Sequence, residues 1–582
     1  MSEGELRISV GRRPITVVEL DLDTCANEYG VAPCAAVLGL TGTQKCFKTF
    51  KTCQDPQHFS RTTKTYRFCS AGSLLPIGGD VIYPCITDVD IAATQLNPNG
   101  LSVSASVTIS MADFPHHDRG VDPYVTERPY QPEAVGTFFG KLRARNPFVI
   151  NRPMRVNTGY IDDDRVIYTS TRLYFIDRFE GPDANGRFKI IGKDILRFAD
   201  QEKAEAPKTS QGALSADITN VATSLTLVPA GIGVEYGASG TIRIGDELLT
   251  FSGRSGDTLT SLVRGAQGTA AEAHKLNDKV QLAKVYTNRL TVSQILYELL
   301  TTYAEIDPAY IPLTDWQAEE GNWLSSLTST VTLSEPTGVK KLIEEILVST
   351  GSALWWDEKT AKLRFKVLVP VLPAGQVPQL NEADNILEGS LRVKDLEKER
   401  ISRVIVYFGQ ISAVKEVQKA NLRSVAAVLD AVAEGEVSYG VVSSKEIATR
   451  WLSTAAQGTA LGMRILSRYG ETPREVTFRL DAKDERSTGD LIDLTSRQIQ
   501  NAMGDPATTR FIITEVRDVE VGTHQEYTAL QISQTGGGKA FLIAPNDLPD
   551  WSAATSTQKA KYLFVSNNAG AMSALQAGPV IA

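Results

Sequence analysis

"TSTRLYFIDRFEGPDANGRFKIIGKDILRFAD", Thr169 to Asp200, is the stretch from which the rest of the chain is read. Leu173, Phe175 and Ile176 belong to a strand. "GPDANG" (Gly181 to Gly186) gathers Gly, Pro, Asp and Asn, the residues that supply turn dihedrals and side-chain turn bonds. Arg187 to Asp194 then reads as the return strand. A helix is expected to begin at Ile195 and run through "ILRFADQEKAE". A long antiparallel pair followed by a helix predicts an α+β, β-rich chain.

Working outward from that pair, further strands and a few helices appear. "LSVSASVTISMADF" alternates from Leu101 to Ile109, with Val103, Ala105 and Val107 on one face, as a half-buried strand does. "RPMRVNTGYI" (152–161) is another strand. "EAPKTSQGALSA" (205–216) reads as a linker. After it, short strands at Thr241–Ile244, Glu247–Phe251 and Thr258–Val263 alternate with Gly-Asp turns, predicting a small all-β insert. Leu290, Ile295, Leu296, Leu299 and Leu300 mark an amphipathic helix. Val339, Leu342, Ile343 and Ile346 mark a second, which Gly351 should stop. "SALWWD" and "KLRFKVLV" form a hairpin across "EKTA", with Trp355 and Trp356 on opposite faces. "SRVIVYFGQ" is a strand, and a long helix is expected over "SSKEIATRWLSTAAQGTALGMRILSRY", opened by Ser443 or Ser444. Four strands follow in "REVTFRLDA", "GDLIDLTS", "TRFIITEVRDVE" and "YTALQIS", and "TGGGKA" marks the boundary of a polar tail.

At 582 residues the chain has room for roughly three to five domains. Its net charge is −8, and no long Lys/Arg block gives an electrostatic case for specific nucleic-acid or membrane-surface binding. No apolar run reaches the ~20 residues of a spanning helix. The segment beginning "MSEGELRISVGRR" has no apolar signal region, so synthesis and assembly in a reducing cytoplasm are expected. A disulfide framework is a poor fit to that compartment.

The six cysteines all lie in the first 85 residues. Four of them, Cys25, Cys34, Cys46 and Cys53, are spaced C-x8-C-x11-C-x6-C, and gaps of fifteen lead to Cys69 and Cys85. None of these spacings is a C-x2-C zinc knuckle. Four thiolates on one loop can surround zinc or an iron–sulfur cluster, and Gly30, Pro33, Gly39 and Gly42 would let the loop bend. Buried structural thiols are the equal alternative from spacing alone. "FPHHDRGVD" (114–122) is the best candidate for a hydrolytic or metal site, with His116, His117, Asp118 and Asp122. Neighbouring side chains on an extended strand point opposite ways, so a structural loop is the plainer reading. Asp162, Asp163 and Asp164 lack the calcium-loop pattern. No catalytic constellation emerges, and the chain reads as architectural and not as an enzyme.

The order of these units resembles that of the baseplate hub or tail-tip proteins of long-tailed bacteriophages, Mu-like and related siphophages. The cysteine stretch followed by "ADFPHHDRGVDPY" carries the more specific part of the resemblance, and "GTIRIGDELLTFSG" is similar to a module of phage tail proteins. Similar in role are the hub of gene transfer agents and the lambda tail-tip protein that carries an iron–sulfur cluster. The resemblance implies a cysteine-rich N-terminal segment (1–89), a first barrel-like hub domain (90–208), the all-β insert (209–284), an α/β domain (285–390), a second barrel-like hub domain (391–536) and a tail (537–582). It also implies a homotrimer at the distal end of the virion tail. That trimer would meet the hexameric distal tail protein, the tape measure protein and the central fibre or receptor-binding tip proteins. It would adapt sixfold to threefold symmetry, close the tube, and open it for passage of phage DNA. For the thiols it implies an iron–sulfur cluster of the 4Fe–4S type on Cys25, Cys34, Cys46 and Cys53, with Cys69 and Cys85 the less certain members. Two other roles compete. One is a tail-associated cell-wall hydrolase working through the His116–Asp122 loop, and the other a receptor- or sugar-binding tip protein using the insert and the tryptophans.

Overall fold

Alternation along β1 (Pro14–Cys25) closes the first unit. Val18, Leu20 and Leu22 point inward and are buried, while Glu19, Asp21 and Asp23 point outward. The computed structural model describes residues 13–37, 39–70, 81–98, 100–116, 136–162, 165–286, 290–325, 327–369, 377–520, 523–532, 539–542 and short stretches between 553 and 577. β1 joins β2 (Arg61–Ser70), β3 (Ile82–Ala92), β4 (Ser106–Ala112), β5 (Pro153–Asp162), β6 (Arg165–Glu180) and β7 (Arg187–Lys193) in a closed barrel of order β1-β2-β3-β4-β7-β6-β5. The quoted pair is therefore β6 and β7, joined at the Gly181–Gly186 turn. Closure leaves no free edge in this sheet.

The barrel is packed solid. Helix Phe138–Arg145 drives Phe138 and Phe139 against the barrel residues Phe68 and Phe188, with Phe139 stacked on Phe188 at 4.3 Å between ring centres. Space inside is tight enough that a Cβ on Gly192 of β7 would stand 2.4 Å from the Met154 methyl. On the outer face Arg155 bridges Glu19 (2.9 Å) and Asp21, and Arg67 also reaches Glu19 (2.8 Å). These cross-strand ion pairs tie β2, β1 and β5 together.

Three of the seven strands come from residues 14–92, so the strand pairing runs across the division expected at residue 89. The helix expected after Asp194 is shorter than its sequence suggests. Asp194 caps it, accepting from Leu196 N at 3.0 Å, but Ile195–Asp200 makes only a 3-10 turn. Ala204 and Ala206 are then buried in the core that also holds Val339 and Leu342. Val103 is exposed, and β4 starts only at Ser106.

The insert is all-β, as expected, with a core of its own built from residues such as Leu225, Tyr236, Ile242 and Phe251. Its last strand, Gln281–Tyr286, pairs with Val331–Leu333 and so hangs the insert on the helical unit. That unit contains helices Val292–Glu298, Leu313–Trp323 and Val339–Thr350 and the hairpin Ser352–Asp357/Lys362–Val367. Gly351 ends the third helix in the left-handed conformation (φ 65°).

One core joins this unit to the four-stranded sheet of Ser444–Ala448, Arg403–Gln410, Leu422–Leu429 and Lys539–Leu542, crossing the division expected at 390. A six-stranded sheet has a separate core. Its strands lie in the order Gln379–Asn381, Leu491–Gln500, Pro506–Glu520, His524–Gln531, Arg474–Asp481 and Arg392–Asp395. The long helix expected from Ser443 or Ser444 begins later. Ser444–Ala448 is a strand parallel to Arg403–Tyr407, and the helix is Ala455–Tyr469, opened by a Thr454–Gln457 capping box.

Candidate functional site

The thiol loop stands on the end of β1. Between Cys25 and Arg61 only Ala36 and Thr49 are buried among the described residues, so the loop has no apolar core. Polar cross-links hold it instead. Cys25 N donates to Lys48 O (2.7 Å), Ala35 N to an Asp55 carboxylate oxygen (2.8 Å), and Tyr29 Oη to Gln54 Oε1 (2.9 Å). These bonds bring the segments of Cys34, Cys46 and Cys53 back to Cys25.

All six cysteines are free thiols, and they fall into two groups. Cys25, Cys34, Cys46 and Cys53 are half-buried. Burial raises the Cys46 and Cys53 thiols, and the charge of Cys25 and Cys34 raises each of them further. The four therefore sense one another electrostatically. Two of the sulfurs also receive a backbone N–H from two residues on. Lys48 N donates to Cys46 Sγ at 3.4 Å, and Asp55 N donates to Cys53. Such N–H···S bonds stabilise a thiolate and orient it for a soft cation.

Cys69 and Cys85 instead sit on β2 and β3 and are buried. Burial pushes Cys85 up to about 12, and it raises Cys69 as well. They are barrel-wall residues, distinct from the loop thiols. The donor chemistry of the four loop thiols fits zinc or an iron–sulfur cluster. Among the described residues, no three His, Cys, Asp or Glu side chains stand at the mutual spacing of a bound metal ion.

The loop carries a charge bias that spacing analysis of the cysteines passed over. Residues 41–64 contain Lys45, Lys48, Lys51, Arg61 and Lys64 against one acid, Asp55. Arg145 from the neighbouring helix lies 3.7 Å over the Phe47 ring.

The other sequence candidates do not assemble. His116 is buried beside Phe138 with ring centres 5.1 Å apart, and its carbonyl accepts from Lys141 Nζ. His117, Asp118 and Asp122 lie outside the described residues, as do Asp163 and Asp164. Trp355 and Trp356 do face opposite sides, but both are buried. Trp356 Nε1 donates to Leu173 O (3.0 Å), and Trp355 packs under Gly489. Neither offers a sugar platform, and the insert contains no tryptophan.

A junction that sequence reading did not find lies beside that hairpin. Arg172 of β6, Glu358 of the hairpin turn and Asp518 of the six-stranded sheet meet there, Arg172 buried and the two carboxylates half-buried. Leu173 N donates to Glu358 O (2.9 Å), and Leu96 N to Thr514 O (2.8 Å). The barrel is thereby fixed to the C-terminal half.

No family model matches the chain, and no curated protein matches it. Among solved structures, the 43 kDa tail protein of prophage MuSo2 from Shewanella oneidensis is similar at 10% identity and a TM-score of 0.33, over 76% of this chain and 97% of that one. A tail protein from Neisseria meningitidis MC58 is similar at 10% identity and 0.34, over 76% and 95%. The prophage tail protein gp18 from Listeria monocytogenes EGD-e is similar at 10% identity and 0.32, over 77% and 91%.

Proposed function

We propose that this chain is a structural protein of a phage tail, the homotrimeric hub at the distal end of the tube, with no catalytic role. The observation that carries the reading is the contrast between its sheets. The barrel closes on itself, while among the described residues the C-terminal sheets end in unpaired edges. Among the described residues, Ser444–Ala448 pairs only with Arg403–Tyr407, and Arg392–Asp395 only with Arg474–Thr477. Exposed strand edges are a liability for an isolated chain and an asset in an assembly that covers them. The succession of barrel, projecting insert, helix–hairpin unit and second sheet unit also agrees with the order on which the sequence resemblance rests.

In this role the ring joins the hexameric distal tail protein to threefold tip structures, closes the tube, and opens for DNA passage. Cys25, Cys34, Cys46 and Cys53 would hold an iron–sulfur cluster of the 4Fe–4S type once the loop draws the four sulfurs to ligand spacing. When bound, the cluster supplies a four-way cross-link to a loop that has no core. Lys48 N and Asp55 N, both backbone groups, orient two of the sulfurs.

Anaerobic purification tests both parts. A trimer containing iron and sulfide, with visible charge-transfer absorption lost in Cys46→Ser, is expected. An iron-free protein would remove the cluster from the account. A chain that stays monomeric would remove the hub.

A further inference from the structure

Two exposed patches on different parts of the chain are complementary. The first is on the thiol loop. Phe50, between Cys46 and Cys53, is 51% exposed, and its ring meets that of Phe148, 63% exposed, at 6.3 Å between centres. Lys48 and Lys51 flank Phe50 and are exposed. The patch is aromatic and basic: Lys45, Lys48 and Lys51 lie in the second half of the loop, residues 41–60, where Asp55 is the one acid.

The second patch is the loop at residues 430–442, "DAVAEGEVSYGVV", which follows a strand of the four-stranded sheet. It has three acids and no base. Val432, Val437, Tyr439, Val441 and Val442 are all exposed. An apolar loop facing water would ordinarily be loose, but this one is held in shape. Asp430 Oδ1 accepts from Val432 N and Ala433 N (3.1 Å each), Arg403 Nη2 lies 2.9 Å from Glu434, and the Arg400 guanidinium lies 3.9 Å over the Tyr439 ring. Beside it a groove of about 550 Å³ is lined by Asp430, Val432, Tyr439 and Glu471 among others. A preorganised, acidic, apolar loop beside an acidic groove is shaped for a basic aromatic partner.

We propose that the Phe50–Phe148 patch of one copy docks on the 430–442 loop of a second copy, head to tail, with Lys48 and Lys51 facing Glu436 and Glu471. Charge complementarity selects a second copy as the occupant. The two patches differ, so the contact is heterologous, and it builds a ring when the rotation between copies closes. The proposal rests on the trimeric reading above and names the surface that makes the trimer.

The test is sedimentation of the full-length, anaerobically purified protein across a concentration series. Lys48→Glu/Lys51→Glu is expected to weaken association about tenfold or more, with an unchanged melting temperature. Adding Glu436→Lys/Glu471→Lys to the same chain is expected to restore it. A wild-type trimer that both reversals leave intact overturns the docking surface and spares the hub. A wild type that is monomeric throughout overturns the hub reading itself. Anionic vesicle binding that is lost in Phe50→Ser, with the trimer unchanged, assigns the patch to lipid and also overturns the proposal.

Discussion

The Arg172 guanidinium, on the barrel, lies 2.5 Å from the Asp518 carboxylate, on the six-stranded sheet, with the arginine buried and the carboxylate largely so. Two charges removed from water are stable only while they compensate each other. Arg172→Ala takes the guanidinium from Asp518, leaving it the Gln525 amide at 2.6 Å, and is expected to destabilise the protein by about 3 kcal/mol in denaturant titrations. Arg172→Met/Asp518→Leu should recover most of that loss. Equal losses in the single and double variants would show that the pair does not join the two units.

The loop and barrel cysteines should separate chemically. In metal-free protein at pH 8, iodoacetamide should modify Cys25, Cys34, Cys46 and Cys53, read by peptide mass. Cys85, pushed up to about 12 by burial, and Cys69 should resist until the barrel unfolds. Reconstitution with iron and sulfide should protect the four loop thiols together. Protection of fewer than four would contradict the ligand set.

Acid should strike the insert through Glu247. Burial works to raise this carboxyl, but Arg264 at 2.6 Å, the Gly265 and Glu272 amides and His274 outweigh it and bring it to about 2, against an ordinary 4.5. A depressed carboxyl contributes stability that is present above the unfolded value and lost as pH falls through the folded one. Hydrogen exchange in the 240–274 region should therefore accelerate between pH 4.5 and about 2, beyond the intrinsic pH dependence. Glu247→Gln should flatten that response. An unchanged response would remove Glu247 as its cause.

Gly489 should not tolerate a side chain. It holds φ +88°, and a Cβ there would stand 2.3 Å from Trp355 Cζ2. Gly489→Ala is expected to cost about 1–3 kcal/mol through strain and overpacking. A thermal melt at the wild-type temperature would contradict the close approach.

Much of the local structure was legible in the sequence because its signals are local. The stripe Val339, Leu342, Ile343, Ile346 followed by Gly351 gave a helix that ends where expected, and the Trp hairpin and the four late strands formed as read. Two helix readings misjudged their boundaries. Ser443 and Ser444 are acceptable cap residues, but Ile447 and Thr449 are buried at strand spacing, and the true cap is Thr454. Asp194 was a genuine cap on a turn too short to be an α-helix.

A barrel-like first domain was expected from the resemblance, but not that strands of residues 14–92 complete it, because β1 pairs with β5 some 135 residues away and such pairing leaves no local mark. At the site, the grouping of four cysteines was visible in the spacing. The N–H bonds to Cys46 and Cys53, and the burial that separates Cys69 and Cys85, depend on how the loop returns to β1. The Arg172–Glu358–Asp518 junction joins three distant segments, each of which reads alone as an ordinary surface charge.

The most direct measurement of the central claim is an electron cryomicroscopy reconstruction of the assembled tail, with this chain identified by an inserted tag. The account predicts three copies in a ring at the distal end of the tube, with the barrel and the C-terminal sheets alternating around the axis. A tail end that lacks the chain, or a single copy attached elsewhere on the particle, would contradict it.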